Sequence, residues 1–366
     1  MGFNCGIVGL PNVGKSTIFN AITQAGAEVQ NYPFCTIEPN TGIVNVPDDR
    51  MDTLFKIYQS KKKIPAQIEF VDIAGLVKGA SSGEGLGNKF LGNIKEVDVI
   101  VHVVRCFIDE NVIHVDGSIN PIRDIEIVDT ELIFKDLETV ENKITRITKM
   151  LRSAKEKKDL EFQLVVCNKI KVEMNKGVNA RNIKLTPEEK ISLVDCNLLT
   201  IKPVLFCMNV DEGSCVDGND LSAIVKAYAE KMGAQSVVIS GKIEMELIEM
   251  EPADRTAFLS DLGLSSSGLD RLIKAGYEAL DLITYFTCGP EETHAWTIKR
   301  GTQGPQAAGV IHTDFEKGYI RAETYAYKDI VAAGSEAKAK EAGKLRLEGK
   351  EYTVNDGDLM HFRFSV

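Results

Sequence analysis

The chain alternates short apolar, β-branched runs with longer stretches whose apolar residues recur every third or fourth position. The first pattern predicts buried strands and the second amphipathic helices; alternating, they predict a parallel sheet covered by helices. Six runs read as strands: Phe3–Gly9, Gly42–Val46, Gln67–Asp72, Val97–Val104, Pro203–Asn209 and Gln235–Ser240. About a hundred residues separate the fourth from the fifth, far beyond an ordinary crossover, so an insertion is expected there.

The insertion opens as a long amphipathic helix. Ile133, Leu137, Val140, Ile144, Ile147 and Leu151 make a heptad seam. Leu160, Leu164, Cys167, Ile170 or Lys171, and Met174 repeat it before Lys176-Gly177. Two such helices close in sequence predict an antiparallel arm. Thr186-Pro187-Glu188-Glu189 supplies a cap, a first-turn proline and two acids to start the returning helix. Between Asn142 and Lys158, seven basic residues (143, 146, 149, 152, 155, 157 and 158) face one acid, Glu156. That stretch reads equally as a solvated face or as an RNA-contacting one. After Leu264 the pattern changes: a helix over Asp270–Ile283, then short strands from Tyr285, with an Ala-, Gly-, Lys- and Glu-rich linker at 332–343. This tail predicts a small β-rich α+β domain.

Composition narrows the class. The 366 residues are 44% hydrophobic and carry a net charge of −10, which excludes wholesale coating of nucleic acid or membrane. Eight cysteines without a C-x-x-C pair read as reduced thiols, with neither a disulfide framework nor a zinc site. With no signal-like segment and no apolar run of spanning length, a cytoplasmic protein is the expectation.

The strongest chemistry is Gly9-Leu10-Pro11-Asn12-Val13-Gly14-Lys15-Ser16, between a predicted strand and a predicted helix at Lys15–Ala25. In this Gly-x-x-x-x-Gly-Lys-Ser spacing, backbone N–H groups and a helix N-terminus cradle phosphates. Lys15 reaches the β- and γ-phosphates and the Ser16 hydroxyl is placed for Mg²⁺. Asp72, ending the third strand, is a second Mg²⁺ group, and the Gly75 amide is placed to sense a γ-phosphate. Thr36, in the Pro-punctuated Asn31–Thr36 loop, can complete the Mg²⁺ shell. The glycine-rich stretch from Lys78 to Gly92 reads as a loop that orders around phosphate. Leu76 stands where hydrolytic GTPases often place a water-orienting glutamine, so that device is missing. His114, after the fourth strand, is the histidine nearest this face; taken alone it reads as a surface-loop residue.

The loop after the fifth strand, Asn209-Val210-Asp211-Glu212, replaces the guanine-reading Asn-Lys-x-Asp pattern. The longer Glu212 carboxylate disturbs the bidentate fit to guanine, which favours adenine. Ser240-Gly241-Lys242 stands where a second base-packing loop is expected. Asn168-Lys169-Ile170-Lys171 imitates a base-reading motif but lies in the arm and lacks the final Asp.

Together with Phe70–Ala80, Gly83–Asn88, and the segments Val310–Gly318 and Val354–Phe362, these motifs resemble the Obg-like ATPases of the YchF family, essentially end to end. The resemblance implies an α/β fold: a P-loop NTPase parallel sheet with an antiparallel helical-arm insertion, plus a C-terminal β-grasp (TGS, ubiquitin-like) domain. The boundaries it implies are 1–280 for the NTPase domain, with the arm at about 129–200, and 281–364 for the TGS domain. It further implies ATP hydrolysis in preference to GTP. Asn12, Val13, Gly14, Lys15, Ser16 and Thr17 would contact the phosphates; Ser16, Thr36 and Asp72 would serve Mg²⁺. Asn209, Val210 and Glu212 would face adenine, with Ser240 beside them; Lys15 and His114 would act in catalysis, His114 by assisting water attack. Asn12 is of the type that coordinates K⁺ in related enzymes, which makes K⁺ an expected activator. A monomer is expected, partnered by the ribosome (its large subunit, through rRNA or ribosomal protein contacts of the arm and TGS domain) and by neither membrane nor DNA. Glycine at position 241, where alanine is common, loosens the base loop. Two other readings stay open: a GTP-dependent ribosome-assembly factor, and an RNA- or ribosome-binding module with incidental hydrolysis.

Overall fold

The structure is a computed structural model that describes residues 3–26, 40–73, 94–114, 117–153 and 156–365. Thr36, Gly75, Leu76, Lys155 and the glycine-rich stretch up to Gly92 lie outside the described residues. The chain forms two compact units. The first holds Phe3–Gly42 and Glu69–Ala275; the second holds Ile43–Ile68 and Gly276–Val366.

The first seven strands are β1 (Asn4–Val8), β2 (Thr41–Asn45), β3 (Lys62–Ile64), β4 (Gln67–Asp72), β5 (Val99–Arg105), β6 (Val204–Asn209) and β7 (Gln235–Ile239). One sheet runs in the order β2-β4-β1-β5-β6-β7. Its pairs from β4 through β7 are all parallel, as the apolar runs predict. Every residue of β5 and β6 is buried, so both faces of the sheet centre are covered. Parallel strands end on one edge. That edge gathers the residues after Val8 together with Asp72, Arg105 and Asn209, and it is where α/β sheets bind ligands.

Within β5, His102 is 3% exposed, its ring 5.8 Å from that of Phe206, and burial pulls its imidazole down to about 4. An unfolded histidine takes up its proton near pH 6.5. The folded state refuses it until about pH 4. Stability is therefore complete above about pH 6.5 and falls toward pH 4, by about 3 kcal/mol for this one group. His102→Gln is expected to flatten that slope in urea unfolding measured across this range; an unchanged slope would assign the acid sensitivity to other groups.

The arm follows the predicted seam. Helix Pro121–Leu151 starts at Pro121 under an Asn120 cap and packs along helix Lys158–Met174. All six seam residues of the first helix and Leu160, Leu164, Cys167, Ile170 and Met174 of the second share one apolar cluster. Ile170, rather than Lys171, takes the inner position; Lys171 pairs outside with Glu141. Asp136 pins the arm's base, accepting from the N–H groups of Leu199 (2.7 Å) and Thr200 (2.8 Å) and from the Thr200 hydroxyl (2.7 Å). The Thr186 cap forms as predicted, closed by Glu189 into a capping box, but the returning helix is only Pro187–Ile191. The basic stretch needs correction. Lys143 is 5% exposed and its ammonium is held by Asp195 and the Ser192 carbonyl, while Arg146 also pairs with Asp195. Lys149, Arg152, Lys157 and Lys158 are exposed and, among the described residues, make no ion pair.

The second unit adds β8 (Leu282–Cys288), β9 (Glu292–Lys299), β10 (Tyr319–Ala326), β11 (Arg346–Glu348) and β12 (Asp358–Phe364). Its sheet order is β11-β10-β12-β8-β9-β3. β8 and β9 form a hairpin, β12 lies parallel to β8, and helix Gly304–Ile311 buries Ala307 and Ala308 against Ile283, Tyr285, Ile298 and Met360. This is a β-grasp arrangement. Helix Asp49–Tyr58 also belongs to this unit: Leu54 and Met51 are buried, the Arg50 guanidinium lies 5.3 Å above the Phe286 ring, and Tyr58 Oη donates to Glu336 at 3.0 Å.

Two expectations for the tail fail. The helix predicted to reach Ile283 ends at Ala279, because Asp281 takes a left-handed φ of 53° and β8 starts at Leu282. The predicted linker at 332–343 is mostly the end of helix Tyr327–Ala333 and helix Glu336–Glu341; Ser335 caps the latter, and Ala339 is fully buried. The seven described cysteines are buried free thiols, with burial raising Cys106 to about 12 and Cys196 to about 11.

Candidate functional site

Between β1 and helix Lys15–Ala25 the chain must turn within six residues, and two of them adopt left-handed backbone, Asn12 (φ 63°) and Gly14 (φ 90°). Successive left- and right-handed residues form a nest whose N–H groups point inward. A Cβ at Gly14 would collide with the Asn209 amide, so glycine is required there on two counts. No side chain caps the helix, and its first turn contains no acid. Its leading N–H groups, which have no intrahelical partner, are thereby left for an anion.

A cavity of about 490 Å³ opens over this loop, lined by Asn12, Gly14, Lys15, Ser16 and Thr17, and by Phe107 and Val112 from the segment after β5. Lys15 Nζ is bonded to Asp72 Oδ1, bringing together the predicted phosphate cation and the predicted metal carboxylate. The Ser16 hydroxyl and the Asp72 carboxylate are hard oxygen donors of the kind Mg²⁺ takes alongside phosphate oxygens, so the residues fit that ion. Val13 is buried, and its carbonyl accepts from Asn209 Nδ2 at 2.9 Å.

Asn209 is therefore a brace. Its Oδ1 accepts from the Gly241 N–H at 3.0 Å while its amide holds Val13, so one buried side chain ties the phosphate loop to the loop after β7. Val210 is buried, and its N–H donates to Ile239 O at 2.9 Å. Glu212, in the short turn Glu212–Ser214, is bonded to Lys242, whose ammonium holds the Glu212 carboxyl below its usual range. Ser240 is 2% exposed and its Oγ has no hydrogen-bond partner among the described residues. Such an orphaned hydroxyl beside the loop predicted to meet a base fits a ligand that supplies the missing partner.

The phosphate loop, Asp72, Asn209 and Gly241 are thus assembled on one edge. His114 differs: its side chain is 5% exposed, its Nε2 lies 2.8 Å from Asp124 Oδ2, and it is outside the lining of the cavity. The surface-loop expectation for it does not hold. Sequence reasoning missed three participants: Phe107 and Val112, and Arg105, which lies 4.6 Å over the Phe107 ring and donates to the Phe107 and Asp109 carbonyls. An arginine at the end of a strand that is apolar apart from His102 was the available signal.

A phosphate nest opening a helix, with the lysine and the strand-ending aspartate at its mouth, defines a P-loop nucleoside-triphosphate hydrolase. A family profile described as 50S ribosome-binding GTPase matches residues 4–169, and one for the YchF GTPase C-terminal region, described as a protein of unknown function, matches residues 282–365. The chain is 54% identical over 369 residues to the ribosome-binding ATPase YchF of Bacillus subtilis and 50% identical over 366 residues to that of Escherichia coli O157:H7, covering 100% of both chains each time. The solved Schizosaccharomyces pombe YchF GTPase superposes with a TM-score of 0.90 at 38% identity, over 99% of this chain and 98% of that one. The chain belongs to the YchF family.

Proposed function

We propose that this protein is a Mg²⁺-dependent ATPase that hydrolyses ATP in preference to GTP and associates with the ribosome in a nucleotide-dependent way. The observation that carries the nucleotide part is the uncapped helix N-terminus at Lys15 beside the Lys15–Asp72 pair. The N–H groups of the loop and the Lys15 ammonium would hold the phosphates and neutralise charge that grows on them during hydrolysis. Ser16, Asp72 and Thr36 would hold Mg²⁺, which supplies Lewis-acid charge at the β- and γ-phosphates when bound. The Gly75 amide would sense the γ-phosphate, and His114 would orient water in place of the side chain that Leu76 lacks.

Adenine preference rests on Glu212 and Val210, where guanine readers carry Asp and Lys. The relatives' names divide on this point, ATPase for the bacterial proteins and GTPase for the yeast one. Val210→Lys with Glu212→Asp is expected to move the ATP:GTP affinity ratio toward GTP; an unmoved ratio would sink the base-reading argument. The exposed bases Lys149, Arg152, Lys157 and Lys158 at the end of the arm support an RNA-facing role; 281–364 would be the TGS domain and 1–280 the NTPase domain. Asn12 supports K⁺ as an activator, and equal kcat in Na⁺ and K⁺ buffers would remove that element. A cytoplasmic monomer acting on the large ribosomal subunit completes the reading. No helix among the described residues is long and apolar enough to cross a membrane.

A further inference from the structure

We propose that Asp124 is a positioning residue that holds His114 away from the phosphate-loop cavity, so that His114 reaches a bound triphosphate only when their pair opens. The inference rests on the reading of His114 as the water-orienting group. The segment leading to His114 runs past the phosphate loop: Val112 lines the cavity, and the Ile113 carbonyl accepts from Asn12 Nδ2 at 3.1 Å. His114 itself does not line the cavity. The His114 ring is buried and meets Asp124 at 2.8 Å, and the Asp124 side chain is itself only 4% exposed.

Asp124 is fastened in turn. Its other oxygen accepts from Arg123 Nη2 at 3.1 Å and Nε at 3.3 Å, and it sits in the first turn of helix Pro121–Leu151, under the Asn120 cap. A carboxylate only accepts, so the proton of this hydrogen bond belongs to His114 Nε2. In a buried setting such a bond is strong and directional. It therefore fixes where the imidazole points. The same continuous helix carries Ile133, Val140 and Ile147 of the arm seam, so a displacement of the arm is delivered to Asp124 through a rigid rod. Asp124 thus connects the arm to the His114 imidazole.

The test compares the full chain with Asp124→Asn, His114→Ala and the double variant, without ribosomes. Three quantities are read: steady-state ATP hydrolysis, calorimetric Kd for a non-hydrolysable ATP analogue, and the rate at which diethyl pyrocarbonate modifies His114, followed by peptide mass. In Asp124→Asn, His114 is expected to be modified about tenfold faster than in the native chain. Basal kcat should rise severalfold with Kd unchanged, and that gain should vanish in the double variant. A fall in kcat with His114 still protected would overturn the proposal, as would equal His114 reactivity in the native chain and the variant. Asp124→Ser, accepted only if its melting temperature shows it folded, repeats the comparison should the asparagine variant fail to fold. If His114→Ala alone leaves kcat unchanged, the catalytic reading of His114 fails, while the modification rates still decide whether Asp124 holds the ring.

Discussion

Lys15→Ala is expected to reduce kcat/KM for ATP by on the order of 10³-fold, about 4 kcal/mol of transition-state stabilisation. The lysine is the one loop side chain at the mouth of the cavity that carries positive charge, and it is directed at the strand-ending Asp72. Removing it leaves the backbone nest intact, so binding of diphosphate should fall less than binding of triphosphate. Calorimetry with both nucleotides checks this, with hydrolysis measured in parallel. The same variant separates enzyme from binding module. If ribosomes co-sediment with Lys15→Ala as well as with the native chain, and nucleotide makes no difference to either, hydrolysis is incidental to ribosome association. If association is lost with triphosphate binding, the nucleotide state governs it.

The second large effect is expected at Asn209. Its side chain makes two bonds between segments far apart in sequence, to Val13 O and from Gly241 N, and all three residues are buried. Asn209→Ala leaves that carbonyl and that N–H unpaired, at a cost of on the order of 2–4 kcal/mol. The phosphate loop loses its brace, so both ATP and GTP analogues should bind about 10- to 100-fold more weakly, alike, since the lost preorganisation is common to both. A loss confined to the ATP analogue would instead make Asn209 a reader of the base. Thermal unfolding, measured beside the two affinities, separates the stability cost from the binding cost.

The arm seam was legible because a heptad spacing constrains a helix pair locally: every residue from Ile133 to Leu151 that the pattern named is in the shared cluster. The phosphate loop was legible for a similar reason, since its glycines and lysine act within eight residues. Segments whose place depends on distant partners were not. Lys62-Lys63-Ile64 has two exposed lysines and no apolar alternation, yet it pairs with β9 as an edge strand, where charge is an advantage. Helix Asp49–Tyr58 lies between two strands of the nucleotide sheet in sequence but packs in the β-grasp unit, through Leu54, Met51 and Arg50. The stretch after Ala332 reads as a linker by composition; only the burial of Ala339 and the Ser335 cap make it structure. At the site, residue type suggested base contact for Asn209 and a surface loop for His114. Tertiary contacts add a bracing role to the first and bury the second against Asp124.

Calorimetric titration of the native chain with non-hydrolysable ATP and GTP analogues, in Mg²⁺ and K⁺, tests the central claim most directly. The ATP analogue should bind at least about tenfold more tightly, a difference of about 1.4 kcal/mol. Equal binding, or tighter binding of the GTP analogue, would leave the phosphate site intact but contradict the reading of Asn209–Glu212 as an adenine site.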